Sequence, residues 1–298
     1  MSGRKRYLVT GLQGQVVQSL IERAALHPDI EIVALGRPQL DLADPQTIAA
    51  AVSALSPQII ISAAAYTAVD QAESDEATAF VVNAQGPAAL AKVAAQLDIP
   101  IVHISTDYVF DGSKPEAYVE SDPVQPLGVY GRSKLEGELA VASATANHAI
   151  LRTAWVYSPF GKNFLKTMLT LAKSRDELNV VADQHGNPTS ALDIADAVLR
   201  VAANLLARPD AGLRGTFHMT ASGEASWAEF ATEIFRLSEQ AGGPSCKVNP
   251  IPSSAYPTPA RRPANSRLDC GKLAALHGVT LPPWRQSTAT VVERLAGA

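Results

Sequence analysis

Cysteine is nearly missing from this chain: Cys246 and Cys270 are the only two in 298 residues. They share no ligand spacing, which excludes a disulfide framework and a zinc site and suits a reducing compartment. Long apolar runs are missing too, since nothing approaches the ~18 to 20 residues of a membrane span. The opening "MSGRKR" is followed by only about five apolar-leaning residues before Gly11, short of a signal-peptide core. A soluble, cytoplasmic protein with no membrane partner is expected. Nor is positive charge in excess: the formal net charge is −4, so no nucleic-acid partner is expected. Charged residues make up 18% and hydrophobic ones 47%, which allows a large core and argues against disorder.

What is present is alternation of two kinds of segment. Tyr7 to Thr10, Ile30 to Leu35, Ile59 to Ala63, Ile101 to Ser105 and Ala149 to Thr153 are short apolar runs rich in β-branched residues. Val16 to Ala25, Pro45 to Leu55, Ala77 to Leu97 and the stretch around Tyr130 to Ala144 have helical length and composition. Strands without polar alternation, separated by helices, predict a doubly wound parallel α/β sheet of Rossmann type. Residues 1–155 are expected to form this dinucleotide-binding domain. Residues 156–298 read mainly as a smaller, interleaved substrate lobe, with Gly215 to Met219 as one more strand of the sheet. The stretch "PIPSSAYPTPARRP", Pro250 to Pro263, has five prolines and must be extended or turning.

"YLVTGLQGQVVQSL" places Gly11 and Gly14 between the first strand and the first helix. Backbone there can approach a pyrophosphate, and the helix N-terminus offers free N–H groups and a positive dipole end. A plain strand-to-helix turn is the competing reading. Val17 occupies the place of a third glycine, which predicts slightly looser packing of helix on strand. At the end of the second strand, where Asp or Glu would bind a ribose 2′-OH, stand Gly36 and Arg37. A guanidinium suits a 2′-phosphate, so NADPH is the expected cofactor, with NADH as the alternative. Asp41 and Leu42 are expected beside the adenine.

"VYGRSKLEGELA" carries Tyr130 and Lys134 four residues apart, hence on one helix face. A phenol is a weak acid–base group near neutral pH, and a neighbouring ammonium is expected to lower its pKa. Tyr130 would protonate an alkoxide as hydride arrives, with Lys134 assisting and also holding the nicotinamide ribose, so that both are expected beside the cofactor. Ser105, Thr106 and Asp107 follow the fourth strand at the carboxyl edge, where open α/β sheets bind ligands. A hydroxyl at Thr106 would stabilise negative charge on a carbonyl oxygen.

The motifs "TGLQGQV", "AAAYTAVDQAE", "HISTDYVFDG", "VYGRSKLEGE", "LRTAWVYSPFGKNFLKTML", "VVADQHGNPT" and "SAYPTPARRPANSRL" run through nearly the whole chain. In them the sequence resembles the extended short-chain dehydrogenase/reductase family, in its branch that makes dTDP-rhamnose. The resemblance implies NADPH-dependent reduction of the 4-keto group of dTDP-4-dehydro-β-L-rhamnose. It implies catalysis by Thr106, Tyr130 and Lys134, and cofactor contacts at Gly14, Gln15, Val16, Asp41, Leu42, Ala65, Tyr66 and Thr67. Substrate contacts are implied at Thr106, Asp107, Tyr108 and Trp155. Arg262, in the Pro-restrained loop with Arg261 and Arg267, is expected to meet the substrate's pyrophosphate.

Two further departures stand out. Ser62 occupies a place where relatives commonly carry Asn, and Leu192 stands where some relatives carry an acidic magnesium ligand that bridges a dimer. No metal is therefore expected, and a monomer or metal-free homodimer is the expected state. Two other functions fit the same stretches. One is a non-catalytic NADP-binding regulatory subunit, such as the β subunit of methionine adenosyltransferase. The other is a reductase or epimerase of a different deoxy-sugar nucleotide.

Overall fold

The computed structural model describes residues 4–297. Six strands form one all-parallel sheet: β1 (Lys5–Thr10), β2 (Ile30–Leu35), β3 (Ile59–Ser62), β4 (Ile101–Thr106), β5 (His148–Thr153) and, after one strand of a separate pair described below, β7 (Gly215–His218). Their order is β7-β5-β4-β3-β1-β2. Alternate residues feed opposite faces, as a two-sided parallel sheet requires. Tyr7, Val9, Ile59, Ile61 and Val102 join one core with the helices α1 (Gln15–Ala24) and α6 (Ala191–Ala207). Leu8, Ile60, Ile101 and Ile150 join the other with α2 (Pro45–Leu55), α3 (Gly86–Gln96) and α4 (Val129–Ala144). This is the expected doubly wound α/β architecture.

The helix expected over Ala77 to Leu97 is interrupted. A helical turn at Glu76–Phe80 passes into a π-turn at Val81–Gln85 before α3 begins. Pro87 is the cause: it has no N–H to give to the carbonyl four residues back, which belongs to Asn83. That carbonyl sits against Gly137 of α4, where a Cβ would come within 2.1 Å of it.

A third core gathers Tyr157, Leu165, Phe230, Ile234, Trp284 and Val291. It is built by α5 (Phe164–Leu171), α7 (Trp227–Gln240), α8 (Trp284–Ala296) and a parallel pair, β6 (Glu177–Val181) with β8 (Lys247–Ile251). Ser226 and Glu229 start α7 with a reciprocal capping box. The chain crosses between the layers more than once. After β6 it returns to lay α6 on the sheet and β7 beside β5, then goes back to the lobe. Residues Pro250 to Pro263 contain the end of β8 and one short turn, Ser253–Ala255, and are otherwise irregular.

Candidate active site

The carboxyl ends of the central strands open onto a cavity of about 600 Å3. Gly11, Gly14, Gln15 and Val16 line it from the first loop, and Ala65 and Thr67 from the loop after β3. Thr106, Asp107 and Tyr108 line it from the end of β4, Tyr130 and Lys134 from α4, and Trp155 from beyond β5. The sheet thus gathers most of the expected residues in one place. Arg37, Asp41, Leu42 and Tyr66 lie outside this cavity. Arg37 is exposed just past β2 and forms no ion pair among the described residues. Asp41 accepts from the Ala43 amide at 3.0 Å, and Leu42 is buried against Gly86. The Tyr66 hydroxyl donates to Asp75 at 3.1 Å, while its backbone is held at both ends by the Asn83 amide.

Gly11 has φ +100°, a left-handed value that a side chain would strain. A Cβ there would also stand 3.3 Å from both Ala64 and Val17. Val17 therefore occupies the space a third glycine would leave open, and it is 1% exposed. No side chain caps α1, whose N-cap is Gly14, so its first N–H groups remain available. Thr153 Oγ1, which lines the cavity, is buried without a hydrogen-bond partner. Bare backbone, an uncapped helix end and an orphaned hydroxyl fit a polar, phosphate-bearing cofactor. Gln15 has a second task. Its Oε1 accepts from Ser158 at 2.8 Å and from Asn163 at 2.9 Å, joining the glycine loop to the start of α5.

Around the reacting end, Thr106 donates to Asp107 Oδ1 at 2.9 Å. Burial raises the Asp107 carboxyl to about 6, against hydrogen bonds that pull it down. Tyr108 and Tyr130 meet edge to face at 5.6 Å. A Cβ on Gly131 would fall 2.2 Å from the Tyr108 carbonyl, so this glycine is what lets α4 approach so closely. The expected lowering of the Tyr130 phenol is not what the structure shows. Burial pushes it up to about 12, opposed by a contact with Thr106. Lys134 does not offset this, because its Nζ turns to the strand and donates to the Ile104 carbonyl at 2.7 Å. Burial lowers Lys134 itself to about 8, against the pull of Glu138.

Three contributors were not singled out from the sequence. Glu138 lies one turn beyond Lys134 on the same face, and Arg152 holds it through Nη2 at 2.7 Å and Nε at 3.0 and 3.2 Å. Ser105 also donates to Glu138. The continued four-residue spacing from Tyr130 through Lys134 to Glu138 was a readable signal. Trp227 was not readable in this way: it stacks on Trp155, with centroids 3.5 Å apart and planes 4° from parallel. Trp155 has φ +47°, and Gly186 has no room for a Cβ, which would lie 2.5 Å from the indole.

A second cavity, of about 780 Å3, lies in the lobe between α5, β6 and the Pro-rich segment. Phe164, Trp227, Tyr256 and Arg262 are among its walls, and Tyr108 belongs to both cavities. Arg262 is tied to Asp70 by contacts of 2.8 and 3.1 Å, with Thr258 as a further acceptor. Among the described residues no group of three His, Cys, Asp or Glu is placed to hold a metal. Leu192 packs against the lobe core, and among the described residues no helix is long and apolar enough to cross a membrane.

Sheet, glycine loop and the Thr106, Tyr130 and Lys134 set define an extended short-chain dehydrogenase/reductase fold. The model of the RmlD substrate binding domain matches residues 5–296. A dTDP-4-dehydrorhamnose reductase of Sinorhizobium fredii is 55% identical over 96% of both chains. One from Escherichia coli is 42% identical over 86% of this chain and 85% of its own. Among solved structures, a dTDP-4-dehydrorhamnose reductase from Clostridium acetobutylicum superposes with a TM-score of 0.91 at 38% identity, covering 97% and 99% of the two chains. The Bacillus anthracis enzyme, solved in complex with NADP, gives 0.89 at 34% identity over 97% and 98%. The chain belongs to the dTDP-4-dehydrorhamnose reductase family.

Proposed function

We propose that this protein reduces the 4-keto group of dTDP-4-dehydro-β-L-rhamnose, using NADPH, to give dTDP-β-L-rhamnose. The observation that carries this reading is the convergence of Thr106, Tyr130 and Lys134 on the cavity that the glycine loop opens. Family membership supplies the substrate class. NADPH, when bound, supplies the hydride. The chain's own residues do the rest. Gly11, Gly14, Gln15 and Val16 hold the pyrophosphate, Ala65 and Thr67 flank the cofactor, and Lys134 meets its ribose. With substrate bound, the Thr106 hydroxyl would turn from Asp107 to donate to the keto oxygen, and Tyr130 would give that oxygen a proton. Burial raises the phenol to about 12, so it carries its proton at neutral pH but is a weaker acid than a free phenol, and the negative charge arriving on the keto oxygen would supply the drive for the transfer.

The lobe cavity suits the nucleotide end of the substrate, with Arg262 for its phosphates and Tyr108, Asp107 and Trp155 near the sugar. Residues 156–298 thus act mainly as the substrate lobe, lending α6 and β7 to the sheet. The protein works in the cytoplasm as a monomer or metal-free homodimer. Its direct assay is NADPH oxidation on addition of the 4-dehydro sugar nucleotide. Turnover is expected. Folded protein that binds NADPH but does not turn over would instead favour the regulatory-subunit reading.

Arg37 gives a test of cofactor choice. An exposed guanidinium with no ion-pair partner among the described residues can meet a 2′-phosphate, and charge-assisted bonds are worth ~1.5 to 3 kcal/mol. Arg37→Asp is expected to shift the NADPH-to-NADH affinity ratio by about tenfold or more toward NADH. Fluorescence titration with both cofactors reads this, and an unchanged ratio removes Arg37 from the site.

A further inference from the structure

Lys134 is 2% exposed. Its ammonium has three donors and no acceptor, and a buried charge without partners is costly. The Ile104 carbonyl takes one N–H. A second faces His103 Nε2 at 3.4 Å, which leaves one for the cavity that Lys134 lines. His103 lies within β4, fully buried, and is paired in register with Ser62 of β3. Its Nδ1 is 3.0 Å from Ser62 Oγ.

A neutral imidazole has one donor and one acceptor nitrogen. Nε2 can accept from the ammonium only if the ring proton sits on Nδ1, and Ser62 Oγ stands there to receive it. We propose that His103, oriented by Ser62, is a positioning residue that holds the Lys134 ammonium in its working place. This rests on the catalytic reading of Lys134 given above. Burial and the charge of Lys134 hold His103 well below its ordinary pKa, so it remains a neutral acceptor. The other ionisable groups facing this cluster are Tyr130 and Glu138 from α4, Asp107 beyond β4, and Arg152 and His148 from β5. None of them replaces the acceptor that His103 supplies. Glu138 is committed to Arg152 and Ser105, and Tyr130 faces Thr106.

The sign of the effect follows from the chemistry. An acceptor stabilises the ammonium over the amine, so its loss lowers the pKa of Lys134 further. The test is kcat/KM for the sugar nucleotide at saturating NADPH, between about pH 6 and 10. In His103→Leu the basic limb, where Lys134 loses its proton, is expected to move about one unit toward acid. His103→Gln, whose amide oxygen can accept, should return the limb most of the way. Ser62→Ala should move it in the same direction as His103→Leu by a smaller amount. A limb that stays in place in a folded, NADPH-binding His103→Leu protein overturns the proposal. If that variant does not fold, an unmoved limb in Ser62→Ala overturns it instead. Wild-type protein that never turns over would sink the function proposed above, a result distinct from either.

Discussion

Tyr130→Phe should bind NADPH as tightly as the wild type and lose about 10²- to 10⁴-fold in kcat, the usual worth of a positioned proton donor. The phenol ring is half-buried at the cavity wall, edge-on to Tyr108 and in contact with Thr106. Removing one oxygen leaves the ring and its packing in place, so the loss should fall on chemistry and not on folding. Single-turnover NADPH oxidation separates the two, because cofactor binding and hydride transfer are read in one trace. Undiminished turnover would remove Tyr130 as the acid and leave the keto oxygen to Thr106 and solvent.

Arg152→Met should lower stability by ~3 to 5 kcal/mol, because it strands the Glu138 carboxylate in the interior. The two side chains are only 6% and 4% exposed. Arg152 also lies over the Phe110 ring at 5.1 Å, so packing is lost along with charge. At ~2 to 4 °C per kcal/mol for chains of about this size, the midpoint should fall by about 6 to 20 °C. The double variant Arg152→Met, Glu138→Leu should recover a large part, since the buried charge is then gone from both sides. Calorimetric melts of the three proteins decide it. A single variant within ~1 kcal/mol of wild type would mean that water reaches Glu138.

The central sheet strands were legible in the sequence because they are largely buried on both faces and so read as short apolar runs, whereas the edge strands β2 and β7 are only partly buried. Tyr7 to Thr10 and Ile59 to Ala63 are clear cases. The π-turn at Val81–Gln85 was hidden, since a proline near the start of a helix and one in mid-helix look alike until the preceding turn is seen. The pair β6 with β8 went unassigned because Glu177–Val181 and Lys247–Ile251 are half polar and lie far apart in the chain. At the site, Tyr130, Lys134 and Thr106 could be read because their chemistry requires a spacing and an order. His103 and Ser62 could not be read as a pair: their contact crosses from one strand to the next. The same limit hid the Trp155–Trp227 stack, which depends on the lobe folding back. The direction of the Lys134 side chain was also out of reach. Four-residue spacing puts it on the face of Tyr130, and only the strand beneath decides where the ammonium goes.

The Gln15 side chain has an energetic consequence. Because it joins the glycine loop to Ser158 and Asn163, whatever steadies one of these segments steadies the other. Linkage of this kind is reciprocal by thermodynamic necessity. A cofactor seated on the loop would then favour the observed placing of Ser158 and Asn163, and a ligand held at the start of α5 would return the same free energy to the cofactor. Two ligands that meet at one bond-making centre are in this way already in communication at a second place, through an amide that takes no part in the chemistry.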